Sequence, residues 1–216
     1  MQRLVIFDLD DTLVDRQGSL TDWVSAFSTH HALDEKDRPD LLQFVRERAC
    51  PATFETIRKQ YGLAPSSTTL WRDYVTYMVR PVTCPPAALE GLSKLRRAGW
   101  KIAIATNGDT QIQTAKVTGS GIADHIDAVC TSEAAGARKP EAAIFAKAAA
   151  ACGTDLAQGG WMVGDGVETD VRGGSAAGLR TIWISAGKPW PGGDVAPDRV
   201  TTYVQQAIDL LLTEAY

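Results

Sequence analysis

Three aspartates stand within four positions near the start of the chain, in the run Asp8-Leu-Asp10-Asp11-Thr12. Carboxylates held this close disfavour folding, because they repel one another and lose water. A hard divalent cation is the usual compensation, since such a cation takes oxygen ligands. The simpler interpretation is a solvated turn after a strand. The run therefore indicates a cation site if other polar groups converge on it.

The acidic run follows four apolar residues, 4–7, which are typical of a strand buried on both faces of a parallel sheet. From residue 86 onward, strand and helix patterns alternate. This alternation predicts a three-layer α/β/α, Rossmann-like fold with a mostly parallel sheet covered on both faces. The other predicted strands are 101–105, 128–130, 161–163 and 181–184, and the predicted helices are 87–98, 110–120, 140–152, 169–177 and 203–212.

Residues 15–85 have a different pattern. Their apolar side chains recur at helical spacing in about four stripes, and proline pairs close the segment at its end. No buried strand is predicted there. The sequence therefore divides into an α/β core, residues 1–14 and 86–216, and an all-helical insertion, residues 15–85.

Polar residues follow the strands of the predicted core. Thr106 and Asn107 come directly after one strand, Lys139 precedes a helix, and Asp165 and Asp170 follow another strand. Each has an ordinary structural explanation as a helix cap or a turn residue. Ligands in such folds bind at the carboxyl ends of the strands, where these residues converge. Carboxylates, a hydroxyl, an amide and a lysine together favour a phosphoryl-transfer site that uses Mg²⁺.

These motifs resemble those of the haloacid dehalogenase-like superfamily, and the resemblance covers nearly the whole chain. It implies that the helical insertion is a cap of the C1 type over an α/β phosphatase core. The matching motifs are Asp8-Leu-Asp10-Asp-Thr12-Leu13, Thr106-Asn107, Lys139-Pro140 and Gly164-Asp165-(four residues)-Asp170.

The resemblance also implies roles for individual residues. Asp8 would be the nucleophile that forms an aspartyl phosphate, which a carboxylate can do. Asp10 would protonate the leaving oxygen and then deprotonate the attacking water. Thr106, Asn107 and Lys139 would bind the phosphoryl group, and Lys139 would also neutralise Asp8.

The implied cofactor is Mg²⁺, which with Lys139 would offset the repulsion between Asp8 and an anionic substrate. By resemblance, its ligands would be the Asp8 carboxylate, the backbone carbonyl of Asp10 and the Asp165 carboxylate. Asp170 would act on the cation through an intervening water.

Asp11 and Thr12 are left out of the site. Asp11 is predicted to be a turn residue or to cap the start of a helix. The hydroxyl of Thr12 is predicted to bond backbone atoms in the turn.

Other activities remain alternatives. Dehalogenases of the same superfamily lack a carboxylate two residues after the nucleophile and need no metal, so Asp10 favours a phosphatase. A phosphomutase with the same cap stays open. A phospho-receiver domain is shorter and carries its phosphoacceptor later. A dinucleotide-binding interpretation of Gly164-Asp165-Gly166 fails because the third glycine is absent. A non-catalytic binding module is disfavoured because all motif residues are present.

The substrate is expected to be a small phosphorylated metabolite. The resemblance extends to nucleoside 5'-monophosphatases and sugar-phosphate phosphatases, with a mild preference for the nucleotidases and acylneuraminate phosphatases. Candidate specificity residues within the insertion are Arg16, Trp23, Arg46, Arg48 and Arg80.

Composition excludes several partners. The 216 residues carry a net charge of −4. The chain therefore lacks the surplus of basic residues that is typical of proteins binding nucleic-acid polymers or anionic membranes. The four cysteines form no C-x-x-C pair, which fits reduced thiols and a cytoplasmic protein without a signal peptide. No apolar run approaches the length of a membrane span. Either a monomer or a homodimer is compatible with the sequence.

Overall fold

A six-stranded, fully parallel sheet forms the centre of the computed structural model, which describes residues 2–46, 49–80 and 82–214. The strand order is β3-β2-β1-β4-β5-β6, so β1 lies inside the sheet between β2 and β4. The predicted α/β fold class is confirmed. In chain order, strands β1 to β6 are Leu4–Phe7, Lys101–Thr106, Ala128–Thr131, Trp161–Gly164, Arg180–Ile184 and Arg199–Thr201.

Ten α-helices and one π-helix accompany the sheet within the described residues. In chain order, α1 to α10 are Arg16–His30, Arg38–Arg46, Pro51–Gln60, Ser67–Met78, Pro86–Arg97, Thr110–Gly119, Ser132–Ala135, Ala142–Ala151, Gly173–Ala176 and Val204–Thr213. The π-helix Val167–Arg172 leads directly into α9, and single 3₁₀ turns lie at Glu35–Asp37, Ile122–His125 and Leu156–Gln158.

Strand β1 is buried on both faces because its side chains alternate between two apolar clusters. Val5 and Phe7 enter one cluster with residues of α5 and α10. Leu4 and Ile6 enter the other cluster with residues of α8. Helices therefore cover both faces of the sheet, which gives the three layers, and the carboxyl end of β1 lies at the middle of one edge.

Helices α1 to α4 pack around a separate apolar cluster. Trp23 lies at its centre, and its ring makes edge contacts with Phe54 and Tyr74 at centroid distances of 5.9 and 5.1 Å. Ile112, on α6, also belongs to this cluster. The four helices predicted between residues 15 and 85 are thus present, and the described part of that segment contains no strand.

The structure corrects two parts of the predicted core. Strand β6 was not predicted, because it has three residues of which only Thr201 is buried, too few for a pattern. The helix expected at 169–177 begins earlier, as the π-helix at Val167, and it ends at Ala176.

Cys84, Cys130 and Cys152 are buried free thiols, as expected, and Cys50 is partly buried. Within the described ranges, the structure contains no helix long and apolar enough to cross a bilayer.

Candidate active site

Asp8 follows β1 at the middle of the sheet edge. Its backbone N–H donates to the carbonyl of Val163 on β4 at 2.8 Å, which continues the sheet pairing up to the aspartate. Lys139 approaches from the loop before α8. Its Nζ lies 2.7 Å from Oδ1 of Asp8 and 2.7 Å from Oδ1 of Asp170. Residues far apart in the sequence therefore form one buried ionic cluster.

The cluster around Lys139 carries more negative than positive charge. Burial disfavours the charged form of the Lys139 ammonium, but Asp170 and Asp8 outweigh that effect and raise the pKa of this lysine. Burial raises the pKa of Asp8 as well, with contributions from Asp170 and Asp165 that Lys139 opposes. The carboxylates thus need more positive charge than Lys139 supplies.

Asp165 is the carboxylate at the end of β4. Burial, with smaller contributions from Asp170 and Asp11, raises its pKa to about 6. Its backbone carbonyl accepts a hydrogen bond from the indole N–H of Trp183 at 2.8 Å. Asp8, Asp165 and Asp170 can each offer one oxygen, and these oxygens lie within 4.8 Å of one another. An all-oxygen donor set with excess negative charge fits a hard divalent cation.

Asp170 is held at both carboxylate oxygens. Oδ1 pairs with Lys139, and Oδ2 accepts from the backbone N–H of Gly166 at 2.9 Å. This close packing requires glycine at position 164, since a Cβ there would lie 2.2 Å from Oδ2 of Asp170. This arrangement suits Asp170 to fixing the position of Lys139.

Asn107 connects the end of β2 to the loop of Lys139. Its Nδ2 donates to the backbone carbonyl of Lys139 at 3.0 Å, and its Oδ1 accepts from the backbone N–H of Lys139 at 2.9 Å. Both ends of this amide therefore position the lysine. The neighbouring Thr106 is buried, and its hydroxyl accepts from Nε2 of Gln113 at 2.5 Å.

Asp10 lies apart from Lys139 and has its own donors. Its Oδ1 accepts from Nζ of Lys116 at 2.6 Å, and its Oδ2 accepts from Nε2 of Gln113 at 3.1 Å. Nε of Arg16, the first residue of α1, lies 3.7 Å from the same Oδ2. The two aspartates of the D-x-D motif therefore stand in different charge environments.

Gln113 and Lys116 were not predicted as site residues from the sequence. Both lie on α6, on one helical face together with Ile112 and Val117, and all four side chains are buried. Two polar residues on the buried face of a helix are unusual, because burying them without partners is costly. Polar residues at the same helical spacing as apolar ones were therefore the sequence pattern that could have indicated Gln113 and Lys116 as site residues.

Asp11 confirms its predicted role as a helix-start cap. Its Oδ1 accepts from the backbone N–H groups of Arg16 and Gln17 at 3.0 and 2.9 Å. Its backbone adopts a left-handed conformation, with φ of 58°. The prediction for Thr12 is wrong: its buried hydroxyl has no hydrogen-bond partner among the described residues.

The candidate specificity residues separate by position. Trp23 is 3% exposed and belongs to the apolar cluster of α1 to α4, so it cannot serve as a substrate platform. Arg46 and Arg80 contact residues of the same helical segment. Arg48 lies outside the described residues. Among the described candidates, Arg16 reaches the acidic run.

Comparison with known proteins identifies similar chains. Residues 2–178 match the family model for haloacid dehalogenase-like hydrolases. The chain is 28% identical to a glyceraldehyde 3-phosphate phosphatase of Pyrococcus abyssi, over 87% of this chain and 83% of that protein. It is 32% identical to a pyrimidine 5'-nucleotidase of Escherichia coli, over 62% of this chain and 58% of that protein.

Solved structures share the fold at low sequence identity. A haloacid dehalogenase-type hydrolase of Bacillus subtilis bound to magnesium superimposes with a TM-score of 0.82 at 20% identity, over 97% of this chain and 98% of that one. An L-2-haloacid dehalogenase of Xanthobacter autotrophicus reaches a TM-score of 0.77 at 21% identity, over 100% of both chains. The similar fold thus occurs with differing chemistry, while the family match covers most of the sequence: this chain belongs to the haloacid dehalogenase-like hydrolases.

Proposed function

We propose that this protein is a Mg²⁺-dependent phosphatase that hydrolyses small phosphomonoesters through an aspartyl phosphate on Asp8. The observation that carries the proposal is the buried cluster at the end of β1. There Lys139 lies 2.7 Å from Asp8, and the oxygens of Asp8, Asp165 and Asp170 lie within 4.8 Å of one another. A second carboxylate, Asp10, stands two residues after Asp8 with separate donors.

In the first step, a carboxylate oxygen of Asp8 attacks phosphorus and the bond from phosphorus to the leaving oxygen breaks. Lys139, the hydroxyl of Thr106 and the backbone at Asn107 bind the phosphoryl oxygens as charge redistributes. Asp10 gives its proton to the leaving oxygen, which departs as an alcohol. Asp170 and Asn107 keep Lys139 in place throughout.

In the second step, Asp10 takes a proton from water and the water oxygen attacks phosphorus. The bond between phosphorus and Asp8 breaks, inorganic phosphate forms, and the Asp8 carboxylate is restored. Asp10 regains the proton that it gave to the leaving group, so the cycle closes without another reactant.

The donor set suits Mg²⁺, since the protein ligands are all oxygens and the substrate supplies phosphate oxygens. The carboxylates of Asp8 and Asp165 and the backbone carbonyl of Asp10 would hold it, with Asp170 acting indirectly. When bound, it supplies positive charge that lets an anionic carboxylate approach an anionic substrate. The pKa of Asp8 and that of Asp165, both raised by burial, support this need.

The substrate class follows from the relatives and from the helices over the site. The similar proteins act on glyceraldehyde 3-phosphate and on pyrimidine nucleotides, both small phosphorylated metabolites. We propose nucleoside 5'-monophosphates or sugar phosphates for this chain, with residues 15–85 as the cap. Among the described specificity candidates of this cap, Arg16 reaches the acidic run, with its Nε 3.7 Å from Oδ2 of Asp10.

The test is a screen of purified protein against a metabolite panel, with and without Mg²⁺, that measures released inorganic phosphate and kcat/KM for each hit. Hydrolysis releases phosphate, whereas a phosphomutase returns a rearranged phosphate ester. Beryllium fluoride should occupy the carboxylate of Asp8 in a crystal soaked with Mg²⁺. The proposal is contradicted if no compound of the panel releases phosphate, or if beryllium fluoride binds at a residue other than Asp8.

A further inference from the structure

Helix α6 presents a buried face of mixed chemistry to the rest of the molecule. Ile112 joins the apolar cluster of α1 to α4, and Val117 joins the cluster against the sheet. Between them on the same face lie Gln113 and Lys116, each 2% exposed. An apolar face would satisfy packing equally well, so the two polar side chains need another explanation.

Their contacts converge on the proposed proton carrier. The Lys116 ammonium donates a hydrogen bond to Oδ1 of Asp10 at 2.6 Å. The side-chain amide nitrogen of Gln113 donates to Oδ2 of Asp10 at 3.1 Å. The same Gln113 nitrogen lies 2.5 Å from the hydroxyl of Thr106. Since each oxygen of Asp10 has its own donor, the position and the rotation of this carboxylate are both fixed, and Gln113 sets its distance from a phosphate-binding hydroxyl.

Burial of Lys116 is costly, because an ammonium removed from water loses solvation that only a well-placed partner offsets. The turn before α6 also makes room for Gln113. A Cβ on Gly108 would lie 2.9 Å from Cγ and 3.1 Å from Cδ of Gln113, so a side chain at position 108 would displace the amide. The glycine of the Thr106-Asn107-Gly108 turn and the two α6 residues therefore form one arrangement.

We propose that Lys116 and Gln113 are positioning residues that hold the carboxylate of Asp10 in line with the leaving oxygen of a phosphomonoester bound at Thr106 and Lys139. The inference rests on the proposed phosphatase activity. Neither residue touches substrate; each acts through Asp10. The alternative is an ion pair and an amide that stabilise the fold and leave proton transfer unaffected.

A comparison of leaving groups separates these two roles. An aryl phosphate such as 4-nitrophenyl phosphate leaves readily as an anion and needs little protonation. An alkyl phosphate, taken from the hits of the metabolite screen, needs the proton. Lys116→Met and Gln113→Leu should lower kcat/KM for the alkyl ester by about 10²-fold. The loss for the aryl ester should be several-fold smaller, so the ratio of the two constants shifts.

Lys116→Arg keeps a cation near Asp10 and should recover part of the alkyl-ester activity. Lys147→Met is the control for loss of a lysine charge from a core helix, since Lys147 is exposed on α8 and contacts the backbone carbonyl of Ala135 instead of Asp10. It should leave the ratio unchanged. Thermal stabilisation by Mg²⁺ with beryllium fluoride, which does not need Asp10 as an acid, should persist in Lys116→Met and Gln113→Leu.

Equal losses for both esters in Lys116→Met and Gln113→Leu overturn the inference, and so does loss of stabilisation by Mg²⁺ with beryllium fluoride. If Lys116→Met does not fold, Gln113→Leu decides alone, since it removes no charge. Failure of the wild type to hydrolyse any phosphate ester removes the proposed function and this inference together. A wild type that is active, with an unchanged ester ratio in the variants, removes the inference alone.

Discussion

Two lysines with 2% exposed side chains lie beside the D-x-D motif, and they differ in what surrounds them. Lys139 pairs with Asp8 and Asp170, and Asp165 adds a further carboxylate to that cluster. Lys116 pairs with Asp10 alone among the described carboxylates, and Arg16 adds a second cation at 3.7 Å. The first cluster has excess negative charge, and the second has none.

This difference is what the two separate roles proposed for Asp8 and Asp10 would require of aspartates on one loop. The Lys139 cluster carries excess negative charge, so it favours a bound cation, which would in turn stabilise the ionised form of Asp8. The Lys116 cluster is complete without a metal, so the side chain of Asp10 is held by protein donors and stays out of the cation site. Each of the following experiments changes one cluster and leaves the other intact.

The largest expected effect follows removal of the nucleophile. Asp8→Asn should lower Mg²⁺-dependent phosphate release by about 10⁴-fold or more, to the assay limit. Asp10→Asn should lower it by about 10²- to 10⁴-fold and slow both half-reactions, measured by rapid-quench kinetics. Circular dichroism should show both variants folded. Retained turnover in Asp8→Asn removes the nucleophile assignment.

The second experiment compares the two lysines directly through urea unfolding. Lys139→Met leaves two buried carboxylates without their ammonium and should cost about 3–5 kcal/mol of unfolding free energy. Lys116→Met leaves a partly exposed Asp10 that keeps its bond to Gln113, and it should cost about 1–3 kcal/mol. Equal costs for both variants would contradict the difference between the clusters.

Cation binding should depend on the first cluster. A saturating excess of Mg²⁺, a hundredfold over Kd, should stabilise the wild type by about 2.7 kcal/mol in thermal denaturation. Asp165→Asn should lose most of this gain, whereas Gln113→Leu, in the second cluster, should keep it. A variant at Asp165 that retains the full stabilisation would exclude it as a ligand.

The smallest effect is the pH dependence of the metal-free protein. The pKa of Asp165 rises from an ordinary 3.8 to about 6, mainly through burial, so the folded chain binds a proton that the unfolded chain has released. The contribution of Asp165 to stability is therefore present below about pH 4 and is lost as pH rises towards about 6. Affinity for Mg²⁺ should rise across the same window, because the cation needs the ionised carboxylate.

Chemical denaturation at about pH 4 and about pH 7, with and without Mg²⁺, measures this. Asp165→Asn is the reference, since it lacks the titrating carboxylate and retains the rest of the cluster. The wild type should lose more stability than this variant between the two pH values when metal is absent. Equal losses of unfolding free energy in the wild type and in Asp165→Asn would show that Asp165 has an ordinary pKa.

The sequence was sufficient to predict the architecture where the signal is local. Four consecutive apolar residues, 4–7, predict a strand buried on both faces, and the polar residues after each strand predict where side chains converge. Strand β6 was not predicted because Arg199–Thr201 is a strand through its pairing with β5 and not through its own composition. The π-helix start at Val167 depends on Asp170 folding back onto the backbone of Gly166 and against Gly164, a contact that spacing does not reveal.

Contacts between residues far apart in the sequence were the second feature that could not be predicted. Gln113 and Lys116 meet Asp10 across 103 and 106 positions, and nothing near Asp10 in the sequence indicates them. The side chain of Asn107 was expected on phosphate, but both of its ends bind the backbone of Lys139, which is distant in sequence. Residue type predicts which chemistry is available, whereas the partners depend on how the chain closes on itself.

The start of α1 fixes the length of the connection to the core. Asp11 accepts the N–H groups of Arg16 and Gln17, while the side chain of Arg16 lies near Asp10. A residue inserted between positions 12 and 15 lies in the loop before α1 and would have to be accommodated there without breaking either contact. The number of residues between Asp11 and α1 is therefore constrained by the cap and by the approach of Arg16 to Asp10 together.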